Sequence, residues 1–323
     1  MGKQRSDMIA FGPVPSRRLG RSLGINNIPP KVCTYSCIYC QVGKTVNMQV
    51  ERRPFYEPAE IVRRIKIQVK KALKKGETID YLTFVPDGEP TLDINLGHEI
   101  DLLKPLAIKI AVITNGSLIV REDVRRDLMK ADWVSLKLDS TWKTDWRKIN
   151  RPHKNLDLNL MLKAMSDFSK SYHGKLVTET MFVQGVNNDA DMLQETAEFL
   201  ASLNPERAYL AIPTRPPAEN WVKPPNPEEV NTAFQIFSEK IPHIEYLIGY
   251  EGNAFAYTGN VEKDLLSITS VHPMQAGAIR KLLTRAGKDW TTITKLISKQ
   301  KIVEIDYNGR KFYMRRFNSE TTG

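Results

Sequence analysis

Short runs rich in β-branched residues alternate with longer amphipathic runs along most of this chain. Strands are predicted at residues 81–85, 109–113, 133–138, 176–183 and 208–212, with 22–25 ahead of them. Helices are predicted at 58–75, 95–103, 121–130, 156–171, 189–203 and 226–240. Pro58 and Pro227 sit early in two of these helices. Asp189 and Asn226 stand where an N-cap oxygen would accept from a backbone N–H left unpaired at a helix start. Parallel strands need a crossover between neighbours and a helix supplies it, so the repetition predicts an α/β fold with a parallel sheet. In such folds the chemistry gathers at the carboxyl ends of the strands.

Two stretches interrupt the alternation. Residues 214–227 are rich in proline and follow the last predicted strand, so they either cover the mouth of the sheet in an extended conformation or serve as a linker. Residues 142–155 read as a long loop, in which Arg151 and His153 are either surface residues or substrate contacts. From about Leu265 the character changes. Residues 274–286 and 291–299 read as two helices, and 302–307 and 311–316 alternate around Asn308-Gly309, a dipeptide favoured in type I′ hairpin turns. Helix, turn, helix and hairpin predict a small winged-helix-like α+β domain at 263–323, after a first domain at 1–262. Winged helices dock nucleic acids or proteins, and the fold alone does not choose between them.

Charge sharpens this division. The net charge is +10, and residues 263–323 hold twelve Lys/Arg against five Asp/Glu. Such asymmetry is expected of a polyanion binder, with a merely solvated basic surface as the plainer reading. Arg310, Lys311, Arg315 and Arg316 place positive charge on the predicted hairpin, where it would meet phosphates. No apolar run approaches the roughly 18 residues of a membrane helix, and the first residues lack the apolar core of a secretory signal. The expectation is a cytoplasmic protein with no membrane partner.

All three cysteines fall in Cys33-Thr-Tyr-Ser-Cys37-Ile-Tyr39-Cys40. No disulfide framework can be built from them, and a reducing compartment suits them. A closed zinc site takes four ligands, and none of the five histidines is close in sequence. Three thiolates do suit a [4Fe–4S] cluster that keeps one iron free of protein ligands.

This C-x3-C-x2-C spacing, with an aromatic before the last cysteine, resembles the signature of the radical SAM superfamily. Phe84-Val85-Pro86-Asp87-Gly88-Glu89-Pro90 is similar to that family's Gly-Gly-Glu-Pro segment, with Asp87 in place of the first glycine. Val112-Ile113-Thr114-Asn115-Gly116 is similar to its next strand end. The resemblance implies a partial (β/α)6 barrel whose cysteines Cys33, Cys37 and Cys40 ligate a [4Fe–4S] cluster. S-adenosylmethionine would bind the fourth iron and be cleaved reductively to a 5′-deoxyadenosyl radical, with an electron donor for the cluster as a partner. Gly88 and Glu89 would face the methionyl amine, and Tyr39 the adenine. Thr114, Asn115, Ser135 and Lys137 would serve the ribose and carboxylate, and Gln184 and Asn187 the adenosine side. Ser135, Lys137 and Asp139 share one face of a strand, either lining a cofactor cavity or facing solvent.

The segment from Phe11 to Gly24 resembles the branch that includes archaeal tRNA wyosine-base enzymes, whose second-cluster cysteines this chain lacks. Three functions remain open at this stage. One is a radical SAM enzyme modifying a nucleic acid such as tRNA, delivered by the basic C-terminal domain. Another modifies or activates a protein or peptide. The third is a nonenzymatic iron–sulfur DNA-binding sensor, against which the Gly88-Glu89 and Asn115 strand ends count.

Overall fold

The computed structural model describes residues 9–247, 255, 257–271, 273–307 and 309–316. Its main sheet has eight strands in the order β1-β2-β5-β6-β7-β8-β9-β10. These are β1 (Ala10–Ser16), β2 (Gly20–Ile25), β5 (Tyr81–Phe84), β6 (Lys109–Thr114), β7 (Trp133–Lys137), β8 (Lys175–Met181), β9 (Arg207–Ala211) and β10 (Ile244–Leu247), while β3 (Val32–Cys33) and β4 (Asn47–Met48) pair parallel in a separate two-stranded sheet. β1 pairs antiparallel with β2, and every later neighbour pairs parallel. The sheet curls into a half-barrel of the expected α/β class.

The two faces of each strand are buried against different partners. Leu82, Ile110, Val112, Val134, Leu176 and Leu210 pack with the helices in one large core. The alternate positions Ala111, Trp133, Val177, Tyr209 and Ala211 form a second cluster inside the curl. Burial on both faces is why these strands read as near-continuous apolar runs. The covering helices are α1 (Pro58–Lys74), α2 (Leu96–Leu103), α3 (Glu122–Leu128), α4 (Lys143–Asn150), α5 (Leu158–Ser171), α6 (Ala190–Ser202) and α7 (Pro227–Lys240). Asp189 accepts from Asp191 N and Met192 N, and Asn226 forms a reciprocal capping box with Glu229. The stretch read as a loop at 142–155 contains α4, which the pattern does not announce because Trp146 and Ile149 are its only buried apolar side chains.

The C-terminal elements are α8 (Val261–Val271), β11 (Met274–Gln275), α9 (Ala276–Arg285), α10 (Thr291–Ser298), β12 (Ile302–Tyr307) and β13 (Arg310–Arg315). Their three strands pair antiparallel in the order β11-β13-β12. Asn308 of the expected turn lies outside the described residues, and Gly309 takes φ +70°. These elements share a hydrophobic cluster with Phe11 and Val14 of β1, which joins Leu265, Ile268, Ile279, Leu282 and Tyr313. Ser267 also donates to Ala10 O at 3.3 Å, and Arg285 pairs with Glu77. The hairpin therefore sits at a fixed place beside the barrel mouth, where the Tyr307 hydroxyl donates to Pro213 O at 3.0 Å.

Candidate active site

The cysteine loop is held from three sides by residues far away in sequence. Beneath it, the backbone N–H groups of Ser36 and Ile38 donate to Asn150 O (3.1 Å) and Ile149 O (3.0 Å) at the end of α4. Tyr35 is buried there, and its hydroxyl accepts from Trp146 Nε1 at 3.1 Å. Above it, Glu219 N donates to Ile38 O at 3.0 Å, so the proline-rich stretch covers the loop rather than merely connecting elements. Arg151 pairs with Glu219, and His153 N donates to Thr34 O at 2.9 Å. Both residues brace the loop.

The third side is the β5 end. Val32 O accepts from Glu89 N at 3.2 Å, while Lys31 N donates to Asp87 O at 2.6 Å. Gly88 lies between these bonds, and a Cβ there would stand 1.8 Å from Val32 O. Glycine is required by this close backbone approach, which sets the strand leading to Cys33 against the Asp87–Pro90 segment.

Glu89 is 1% exposed and accepts four hydrogen bonds. Oε1 takes Thr91 N (3.0 Å), Thr91 Oγ1 (2.6 Å) and Thr114 Oγ1 (2.6 Å), and Oε2 takes Asn115 N (2.8 Å). Burial raises its pKa while these donors lower it. The carboxylate thus ties two strand ends together. Asn115 extends the tie to the cysteines, donating from Nδ2 to Thr34 Oγ1 at 2.8 Å and Cys33 Sγ at 3.6 Å.

A second tie surrounds Cys37. Asn150 Nδ2 lies 3.4 Å from Cys37 Sγ and 2.7 Å from Asp139 Oδ2, which also accepts from Tyr39 OH at 2.5 Å. Asn187 is completely buried and spends its amide on the backbone, donating to Asp139 O and Met181 O and accepting from Val183 N. It pins the β7 and β8 ends. Gln184 is exposed, outside this constellation.

Inside the curl, Ser135 is 1% exposed, so the face it shares with Lys137 is interior and not solvent. Lys137 Nζ donates to Glu179 Oε1 at 2.8 Å and lies 4.8 Å from the centre of the Tyr39 ring. Burial opposes its charge, but Glu179 and Asp139 outweigh that and raise its pKa. Glu179 also pairs with Arg18; burial works against its charge, yet Arg18, Lys137 and Arg215 hold its carboxyl down at about 2. Sequence reasoning missed Thr34, Asn150 and Glu179. Thr34 lies within the cysteine motif, Asn150 at the end of α4 and Glu179 within β8, and none of them carries a pattern of its own.

The thiol environment decides what the loop can hold. Cys33, Cys37 and Cys40 are free and half-buried. Burial raises all three thiols, Cys37 to about 12 with further contributions from Asp139 and Cys40. Such thiols are inert as nucleophiles, but iron can displace their protons, and N–H groups stand ready at Cys33 and Cys37 to stabilise thiolate sulfur. Among the described residues no group of three or more His, Cys, Asp or Glu converges on a single ion. A cube spreads its ligands, one thiolate to each iron, so the donor set fits a cluster.

Residues 27–200 match the family described as the Radical SAM superfamily. The chain belongs to the radical SAM superfamily. It is accordingly an iron–sulfur enzyme whose cofactors are a [4Fe–4S] cluster and S-adenosylmethionine. It is 49% identical to the UPF0026 protein MJ1312 of Methanocaldococcus jannaschii over 313 residues, 96% of this chain and 97% of that one. Its fold is similar to that of a radical SAM methyltransferase from Sphaerobacter thermophilus (18% identity, TM-score 0.54, 70% of this chain and 66% of that one). It is also similar to SuiB of Streptococcus suis bound to S-adenosylmethionine (15% identity, TM-score 0.50, 69% of this chain and 49% of that one). Among the described residues no helix is long and apolar enough to cross a membrane.

Proposed function

We propose that this radical SAM enzyme modifies a nucleic acid, with tRNA as the substrate class, at a cluster ligated by Cys33, Cys37 and Cys40. The bound cluster and S-adenosylmethionine supply a 5′-deoxyadenosyl radical for hydrogen abstraction. The chain's own part is to orient the cofactor among Tyr39, Gly88, Thr114, Asn115, Ser135 and Lys137, with Glu89 fixing the strand ends behind them. The loop, proline-rich cover and C-terminal hairpin enclose that place.

The observation that carries the nucleic-acid reading is the exposed basic surface of a module fixed beside the barrel mouth. Lys288, Lys295, Lys299, Lys301, Arg310 and Arg316 are all exposed on it. Its order of helix, strand, two helices and hairpin supports a winged-helix reading. Trp221, 50% exposed in the proline-rich cover, offers a stacking face for an unpaired base. Arg315 is half-buried, so it is removed from the set of phosphate contacts expected on the hairpin.

The test is a gel-shift titration against tRNA at two salt concentrations. Phosphate contacts release counterions, so wild-type affinity should fall log-linearly with salt, and Ala at Lys299, Arg310 and Arg316 should flatten the slope by up to about 3. Weak, salt-insensitive binding by both proteins would instead favour a protein or peptide substrate.

A further inference from the structure

The face that the C-terminal hairpin turns toward the barrel does not close against it. Val303, Ile305 and Tyr307 alternate along β12 and so share one side of that strand, and each is half-buried. Tyr307 is fastened to the proline-rich cover by its hydrogen bond to Pro213 O. The other two line a cavity of about 230 Å³, together with Met314, which is paired with Val303 across the hairpin. Pro216 and Pro217 of the cover supply a second wall, and the turn that ends the cysteine motif supplies a third. Gly43 N closes that turn by donating to Cys40 O at 3.1 Å.

The lining carries two cations, Lys31 and Arg315, and no acid. Lys31 Nζ lies over the turn, since a Cβ at Gly43 would stand 3.5 Å from it. Arg315, lost to the outer basic surface because it is half-buried, lines this space instead and donates to Leu266 O at 3.4 Å. Apolar walls with two positive charges and no negative one complement a group whose faces are apolar and which bears an anion. The volume falls below the roughly 300–1,000 Å³ of sites that bury a whole drug-sized ligand, so the space fits a single ring and not the entire cofactor.

We propose that this chamber binds one unpaired nucleotide of the substrate RNA, its base between the hairpin and the cover prolines and its phosphate neutralised by Lys31 and Arg315. The nucleotide must be unpaired, because a base inside a duplex has both faces stacked and cannot enter. The proposal rests on the nucleic-acid reading and deepens it. The hairpin becomes part of the substrate site, and RNA held there lies against the turn that carries Cys40.

The test uses the full-length, cluster-loaded enzyme without reductant and with S-adenosylmethionine saturating, so that the cofactor's own place is filled. Three short RNA duplexes share one sequence and differ at one position: a bulged uridine, a bulged abasic residue, or no bulge. Wild type should bind the uridine duplex roughly tenfold more tightly than the other two. Met314→Trp, which fills the chamber, should bring all three to within about twofold, and Lys31→Gln should flatten the salt slope of the uridine duplex by about 1. S-adenosylmethionine affinity, measured by calorimetry, should be retained in both variants. A check that needs no variant is 4-thiouridine at the bulge, which should photo-crosslink to wild-type peptides containing Met314 or Pro216. Equal binding of the three duplexes by wild type would overturn the proposal. So would an undiminished preference in Met314→Trp, or crosslinks confined to the outer basic surface around Lys299; with RNA still bound, the nucleic-acid reading then stands without the chamber. If no RNA binds at all, that reading fails separately, and free uridine 5′-monophosphate decides the chamber: binding that Met314→Trp abolishes sustains it, and no binding overturns it.

Discussion

Glu89→Gln changes a single atom, and the structure states what that atom does. The amide can be placed in two ways. With its oxygen at the Oε1 position it keeps Thr91 N, Thr91 Oγ1 and Thr114 Oγ1, but its NH2 then faces the Asn115 N–H. Turned over, it keeps Asn115 N and sets its NH2 against the Thr91 N–H; only the two hydroxyls can rotate to accept. Either way one buried backbone N–H loses its partner, a cost of about 1–3 kcal/mol, and the remaining bonds lose charge assistance. Removing a buried charge returns part of this, since burial already raises the Glu89 pKa. The expected net loss is about 2 kcal/mol in the stability of the cluster-free chain, read from urea unfolding midpoints. A double-mutant cycle with Thr114→Val should show coupling on the order of 1 kcal/mol. Unchanged unfolding with weakened cofactor binding alone would refute the reasoning and make Glu89 a ligand group instead of a tie.

Gly88→Ala places a Cβ 1.8 Å from Val32 O, so the strand before Cys33 must shift; the variant should fold but take up little iron, measured as cluster absorbance per chain after anaerobic reconstitution. Normal loading would contradict that packing. Asp87→Asn should alter the pH profile of the cluster-free protein. Burial holds Asp87 at about 8, above the ~4 of an unfolded aspartate, so the folded state binds its proton more tightly. The stability this confers is complete below about pH 4 and is lost as pH rises to about 8, so the variant should gain on wild type across that window. Asp93 and Glu99, a neighbouring buried pair raised by burial, are common to both proteins and cancel. Parallel urea midpoints from pH 4 to 8 would sink the argument.

The inner strands were legible because both faces of β5 through β9 are buried and their apolar runs stand out against the helical periodicity. β1 was not, since Ala10-Phe-Gly-Pro-Val-Pro-Ser16 carries two prolines and a glycine that argue against a strand. It is tolerated at the sheet edge, where Pro need not donate to a ladder on both sides. β10 escaped for a related reason: only Leu247 of Ile244–Leu247 is buried, so no alternation marks it. At the site, spacing singled out the cysteines and the family resemblance singled out Gly88 and Glu89, yet neither could show what Glu89 bonds to. Its donors come from residues 91, 114 and 115, brought together by the adjacency of β5 and β6. Asp87 looked like a departure from a motif, and its burial with neither oxygen hydrogen-bonded could not be read from spacing.

The central claim is that radical chemistry at the cysteine loop is directed at a nucleic acid. Its most direct test is anaerobic incubation of the cluster-loaded enzyme with S-adenosylmethionine, a reductant and either bulk tRNA or a tRNA-free proteome, followed by mass spectrometry of nucleosides and peptides. The account predicts 5′-deoxyadenosine or methionine formation that rises with tRNA, together with a nucleoside of altered mass. Cofactor cleavage that responds only to the proteome, with altered peptides and unaltered nucleosides, would contradict it.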